Sequence, residues 1–327
     1  MQRNKKIISF YITYVLVLGI ILMSISSSVY ATNYEIGLSK GTDVLTVKQY
    51  NETAWKNTVN FSSSPNKWFD GEANITGAQS KITIKGWNSV IWETYDLFVS
   101  LFLPSLFESQ EITPLLLLMG SQGYNETNIN NNYTNSYNLW IGLKALWNFT
   151  VGNFKEEPTI DNDLILILQN PSDIDDILND YNDLSTELNS NPAIQMSGYT
   201  FPILDSDEFL WLFIFNGLAL GTPSGPYLVD LITTLNCQNA TVNNNLLIIN
   251  RVGETNYTVE ITYGSEGTIS LFTVKDISDN IIYQIVSRNS EWIFYTIIIT
   301  LVICIGGLSV YLIFRKRKIN RIRNRNN

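Results

Sequence analysis

The sequence predicts an α+β fold: an antiparallel, β-sheet-rich domain with about three packed helices, followed by one C-terminal transmembrane helix. Three observations lead there. Residues 246–286 divide into four runs rich in β-branched and aromatic residues, separated by Gly-, Ser- and Asp-rich turns. Residues 172–235 instead carry apolar residues at helical spacing behind capping residues. Trp292–Phe314 is an uncharged run of 23 residues, followed at once by Arg315, Lys316, Arg317 and Lys318. At ~1.5 Å per residue that run reaches about 34 Å as a helix, enough to cross a hydrocarbon core of ~30 Å.

From the N-terminus, Arg3, Lys5 and Lys6 precede an apolar run from Ile7 to Ile25, and small residues lead to Val29-Tyr30-Ala31. This is the order of a secretory signal cleaved after Ala31. The apolar run, about 19 residues against a usual ~7–15, leaves an uncleaved anchor as the alternative. The expected organisation is therefore a signal or anchor over 1–31, an exported domain over 32–291, the span over 292–314 and a basic cytoplasmic tail over 315–327. All 30 acidic residues lie between Glu35 and Glu291, whereas the tail has seven basic residues and no acid. The excess of Lys and Arg holds the tail inside, so the sequence predicts a single-pass type I protein of the cell membrane with its large domain outside.

Within that domain, Asn33–Tyr50 reads as two strands around the turn 39–43. Gln79–Leu97 reads as a hairpin broken at Gly86-Trp87-Asn88. The apolar stretches Leu97–Phe107 and Ile112–Met119, each interrupted by a proline, are too short to span a bilayer. Asn125–Asn138 is almost wholly polar and reads as a surface loop. Strand character resumes at Leu139–Val151 and Leu164–Leu168. A helix then opens at Ser172, with Ile174, Ile177, Leu178, Tyr181, Leu184 and Leu188 on one face. A second helix is expected over Asp207–Leu220 behind Ser206, and a third over Tyr227–Leu235 behind Pro226. The closing meander is Leu246–Val252, Tyr257–Tyr263, Thr268–Val274 and Ile281–Val286, with Tyr257, Val259, Ile261 and Tyr263 on the buried face.

Composition narrows the chemistry. There is no histidine, which excludes Ser-His-Asp and Cys-His mechanisms and histidine metal ligands. The exported part holds eleven basic residues against its 30 acids, about −19, a surface that repels nucleic acid. Of the two cysteines, Cys237 is exported and Cys304 lies in the span, so no internal disulfide is expected and Cys237 reads as a small buried residue. No cofactor motif is present. The acids Asp161, Asp163, Asp173, Asp175 and Asp176 offer hard oxygen ligands for Ca²⁺, without the spacing of a helix-loop-helix site. A carboxylate-based glycoside hydrolase, which needs two acids about 5–10 Å apart, is a second alternative, with Glu93, Glu108, Asp205 and Glu208 near aromatic residues able to stack on sugars. Glycosylation sequons begin at Asn51, Asn60, Asn74, Asn125, Asn132, Asn148, Asn239 and Asn256. Arg315, Lys316, Arg317 and Lys318 are placed to touch anionic lipid.

These features lead to the expectation of a membrane-anchored surface protein that binds or adheres and has no catalytic machinery. An alternative is an extracellular binder of an apolar or lipid-like ligand, in a cavity lined by Trp87, Trp92, Trp140, Trp147, Phe209, Trp211 and Phe213. An enclosed apolar cavity favours the second expectation, and a filled core with an exposed aromatic patch the first.

Overall fold

The computed structural model describes residues 33–288, Asn216 excepted. The expected signal segment, the span and the basic tail lie outside the described residues. Among the described residues no helix is long and apolar enough to cross a membrane.

The frame is one nine-stranded sheet, antiparallel throughout. Its strands are β1 (Gly41–Tyr50), β2 (Gln79–Glu93), β3 (Ser136–Thr150), β4 (Ile160–Leu168), β5 (Ala240–Asn243), β6 (Leu246–Val252), β7 (Asn256–Tyr263), β8 (Ile269–Asp276) and β9 (Ile281–Ser287). Across the sheet the order is β4-β3-β2-β1-β9-β8-β7-β6-β5. Two meanders thus meet where the first strand pairs with the last, Leu45 opposite Ser287.

The helices lie in the connections. Helix α1 (Glu52–Thr58) follows β1, with the Asn51 side chain accepting from Ala54 N at 3.0 Å. Between β2 and β3 come a continuous helical run α2 (Thr94–Leu97, a π-turn Phe98–Phe102, then Leu103–Leu106), α3 (Ser109–Ser121) and α4 (Glu126–Asn132). The wide π-turn stands immediately before Pro104, whose ring cannot follow a regular α-turn. Between β4 and β5 come α5 (Asp173–Ser190), α6 (Pro192–Ser197), α7 (Ser206–Phe215) and α8 (Ser224–Leu235). In α5 the six residues expected on one face are buried, together with Ser185. That stripe packs beside α2 and α8: Tyr181 lies 4.6 Å from Phe102 between ring centroids, and Phe98 stacks on it.

The C-terminal meander follows the expected pattern closely, and β7 buries Tyr257, Val259, Ile261 and Tyr263 while its alternate residues are half-exposed. Elsewhere the structure corrects the sequence reading. Asn33–Lys40 forms no strand; Glu35 makes an isolated bridge to Thr222, Tyr34 packs edge-on against Tyr227, and Leu38 is buried. Gly86 does not turn the chain; it sits at a bulge in the single 15-residue strand β2. The Asn-rich stretch is no loop. Asn125 caps α4 by accepting from Asn128 N, and Ile129 supplies its buried contact. Helix α7 stops at Phe215 instead of Leu220, because Gly217 turns the chain at φ +87° and Leu218–Leu220 run extended beside β4. Its cap is Asp205, which accepts from Glu208 N at 2.8 Å, and not Ser206. The domain therefore carries more helices than the three expected, since α2 and α3 are apolar on nearly every side and show no helical period.

Candidate functional site

A cavity of about 380 Å³ opens inside the sheet's curve. Strict alternation along three neighbouring strands builds its floor: Gly41, Asp43 and Leu45 on β1, Ser80, Ile82 and Ile84 on β2, and Lys144, Leu146 and Asn148 on β3. The register places them in rows. Gly41, Ile84, Lys144 and Asp163 form one row across four strands, and Asp43, Ile82, Leu146 and Ile160 form the next. Ile165, Phe272 and Ile285 extend the floor onto β4, β8 and β9.

Two non-sheet pieces form the opposite wall. One is the end of α7, Ile214 and Phe215, continued by Gly217, Leu218 and Ala219. This segment bridges the gap between β4 and the β7–β8 turn. Gly217 O accepts from Leu166 N at 3.2 Å, Ala219 N donates to Leu166 O at 3.0 Å, and Leu220 N donates to Gly267 O at 2.8 Å. The approach is so close that a Cβ on Gly267, at φ +77°, would stand 2.0 Å from Leu220 O. The second piece is the plug Trp68-Phe69-Asp70. Phe69 meets Phe272 edge-on at 5.0 Å and lies 5.7 Å from Phe215; Trp68 packs on Trp211 at 5.3 Å.

Four of the wall's polar side chains are carboxylates, Asp43, Asp70, Asp163 and Glu266. Lys144 Nζ pairs with Asp163 Oδ2 at 3.0 Å. Ser39 Oγ donates to Glu266 Oε1 at 2.8 Å, and Ser287 Oγ donates to Asp43 Oδ2 at 2.6 Å. At the plugged end, Asn148 Oδ1 is buried with no hydrogen-bond partner. Such a wall can hold an apolar body and a small polar head.

None of the seven aromatic residues expected to line a cavity does so. Phe209 and Phe213 turn toward α2, at 5.8 and 6.2 Å from Phe102, and Trp211 lies behind the plug under Arg251 at 4.1 Å. Trp92 and Trp140 are half-buried against the core, Trp87 is 41% exposed, and Trp147 carries Lys81 at 3.5 Å over its ring. Sequence reading found the right helix and missed its cavity-facing residues, Ile214 and Phe215. It missed the floor entirely, although the apolar alternation of Ile82 and Ile84 was visible.

The five acids weighed for Ca²⁺ are not brought together. Asp161 pairs with Lys85 at 2.8 Å, Asp163 with Lys144, Asp173 accepts from Asn170, and Asp175 from Asn179. Among the described residues no three acids or cysteines converge as metal ligands. The four acids considered for hydrolysis stand at helix starts instead: Glu93, Glu108 and Asp205 cap α2, α3 and α7, and Glu208 follows in α7. Six sequon asparagines are exposed, whereas Asn74 is half-buried and Asn148 lines the cavity. Cys237 is a half-buried free thiol 3.6 Å from Ser206 O, and burial beside Asp207 pushes it up to about 12. Comparisons of the chain with protein-family models, with curated proteins and with solved structures find no match.

Proposed function

We propose that this protein binds an apolar or lipid-like ligand in the cavity between its curved sheet and α7, and holds that binding domain outside the cell on a C-terminal membrane anchor. The observation that carries the reading is the cavity itself: about 380 Å³, walled by Leu, Ile and Phe, with a handful of polar groups at its ends. Ligand sites have this size and make-up, since apolar surface supplies the attraction and a few polar atoms fix orientation. The expected anchor favours the same reading, because a bilayer is a reservoir of such molecules.

The test is binding of N-phenyl-1-naphthylamine, an uncharged apolar fluorophore, to the full chain held in amphipol. Leu146→Trp and, separately, Ile82→Phe place bulk at the cavity's centre. Wild type is expected to enhance the fluorescence saturably, and Leu146→Trp to weaken binding at least tenfold with its circular dichroism unchanged. Saturable binding that both filled variants retain, or none by the wild type, overturns the proposal.

A further inference from the structure

Resting on the apolar-ligand reading, we infer that the cavity selects amphiphiles whose head group donates hydrogen bonds and carries no negative charge, such as a long-chain amine or a monoacylglycerol. Among the described residues four carboxylates line it, Asp43, Asp70, Asp163 and Glu266, against one cation, Lys144. That cation is already matched, with Nζ 3.0 Å from Asp163 Oδ2 and only 15% of its side chain exposed. An incoming fatty-acid carboxylate would have to compete with Asp163 for Lys144 while facing the other three acids. In a confined, weakly screened space, like charges exclude one another and hydrogen-bond donors are drawn in.

The acceptor capacity is also unfilled. An ionised carboxylate offers about four acceptor positions. Glu266 receives Ser39, and Asp163 receives Lys144 and Leu164 N. A hydroxyl or ammonium group can donate to the carboxylates that line the cavity, and a second carboxylate cannot. The polar row Gly41-Ile84-Lys144-Asp163 and the Asn148 end stand four residues apart along β3, on the order of 13 Å. A single medium-length chain therefore reaches from one end to the other.

Three probes sharing a twelve-carbon chain isolate the head group: dodecylamine, 1-monolaurin and dodecanoate, each competed against N-phenyl-1-naphthylamine on the full chain in amphipol at pH 7.4. Displacement by the same probes from Leu146→Trp is subtracted, so that partition into amphipol does not count as binding. Dodecylamine, monolaurin or both are expected to bind at least tenfold tighter than dodecanoate, and their ranking tells an amine ligand from a glycerol one. Asp163→Asn, which leaves Lys144 unmatched, is expected to narrow that ratio at least threefold, and Asp70→Asn to narrow it less. Dodecanoate within tenfold of both others, or a ratio that Asp163→Asn leaves unchanged, overturns the inference while leaving the apolar-ligand reading intact. If none of the three displaces the fluorophore from wild type, the inference fails, whereas the apolar-ligand reading falls only if the fluorophore itself does not bind saturably or both filled variants retain it.

Discussion

At the scale of single residues, environment has decided what the polar groups do. Cys237 read as a small buried residue, and the structure adds the reason for its inertness. Burial first, then the Asp207 carboxylate, disfavours the thiolate and moves its titration from 9.0 to about 12. The thiolate is the reactive form, so native protein at pH 8 is expected to resist iodoacetamide and to react once unfolded in urea. Mass spectrometry of the Cys237 peptide, with Cys304 as a separate signal, checks this. The sign for stability follows: the unfolded chain loses this proton near 9 and the folded one near 12, so Cys237 opposes folding progressively as pH rises through that interval. The acids were the least legible residues. Thirty carboxylates in one sequence cannot announce which of them cap helices, which pair with lysine and which face a cavity, because those roles are assigned by cross-strand register and by where helices begin.

Whole elements were legible in proportion to their periodicity. Helix α5 shows its buried stripe because the opposite face is polar, and β6 and β7 show theirs because one side of each strand is half-exposed or exposed, whereas Phe272, Thr273 and Val274 of β8 are buried in succession. Helices α2 and α3 are apolar on most sides and carry Pro104 and Pro114, so pattern gave way to packing. The start of α7 was placed within one residue, yet the wrong side chain was credited. The Asp205 carboxylate holds Glu208 N, so Asp205→Ala is expected to lower stability by about 1 kcal/mol, and Ser206→Ala to stay within a few tenths. Urea denaturation of the two variants side by side distinguishes them. At its other end Gly217, Leu218 and Ala219 leave the helix line to complete a wall, which no local propensity encodes.

For the whole molecule, the sheet-rich α+β class was visible in the sequence, and the cavity was visible only as an inventory of apolar residues. Its floor comes from alternate positions on β1, β2 and β3, brought into rows by pairings that join residues up to about sixty positions apart. Closure depends on Gly267, where a side chain would collide with the Leu220 carbonyl. Gly267→Ala is expected to destabilise the fold by on the order of 2–4 kcal/mol, through the left-handed backbone and the displaced wall together. Hydrogen exchange is expected to show the Leu166, Ala219 and Leu220 amides losing protection ahead of β7, whose amides are held within the sheet.

The pairing of β1 with β9 carries a temporal consequence. Gly41–Tyr50 emerges among the first residues of the domain and waits for Ile281–Ser287, among the last, before its second edge is covered. Partners separated by some 240 positions of chain meet slowly, and until they do β1 and β8 each present a bare hydrogen-bonding rim to any neighbouring chain. Synthesis must therefore run almost to the apolar stretch at Trp292 before the two meanders can join. A ribosome stalled at Asp276 would leave two half-sheets, each with an open rim and neither enclosing a cavity.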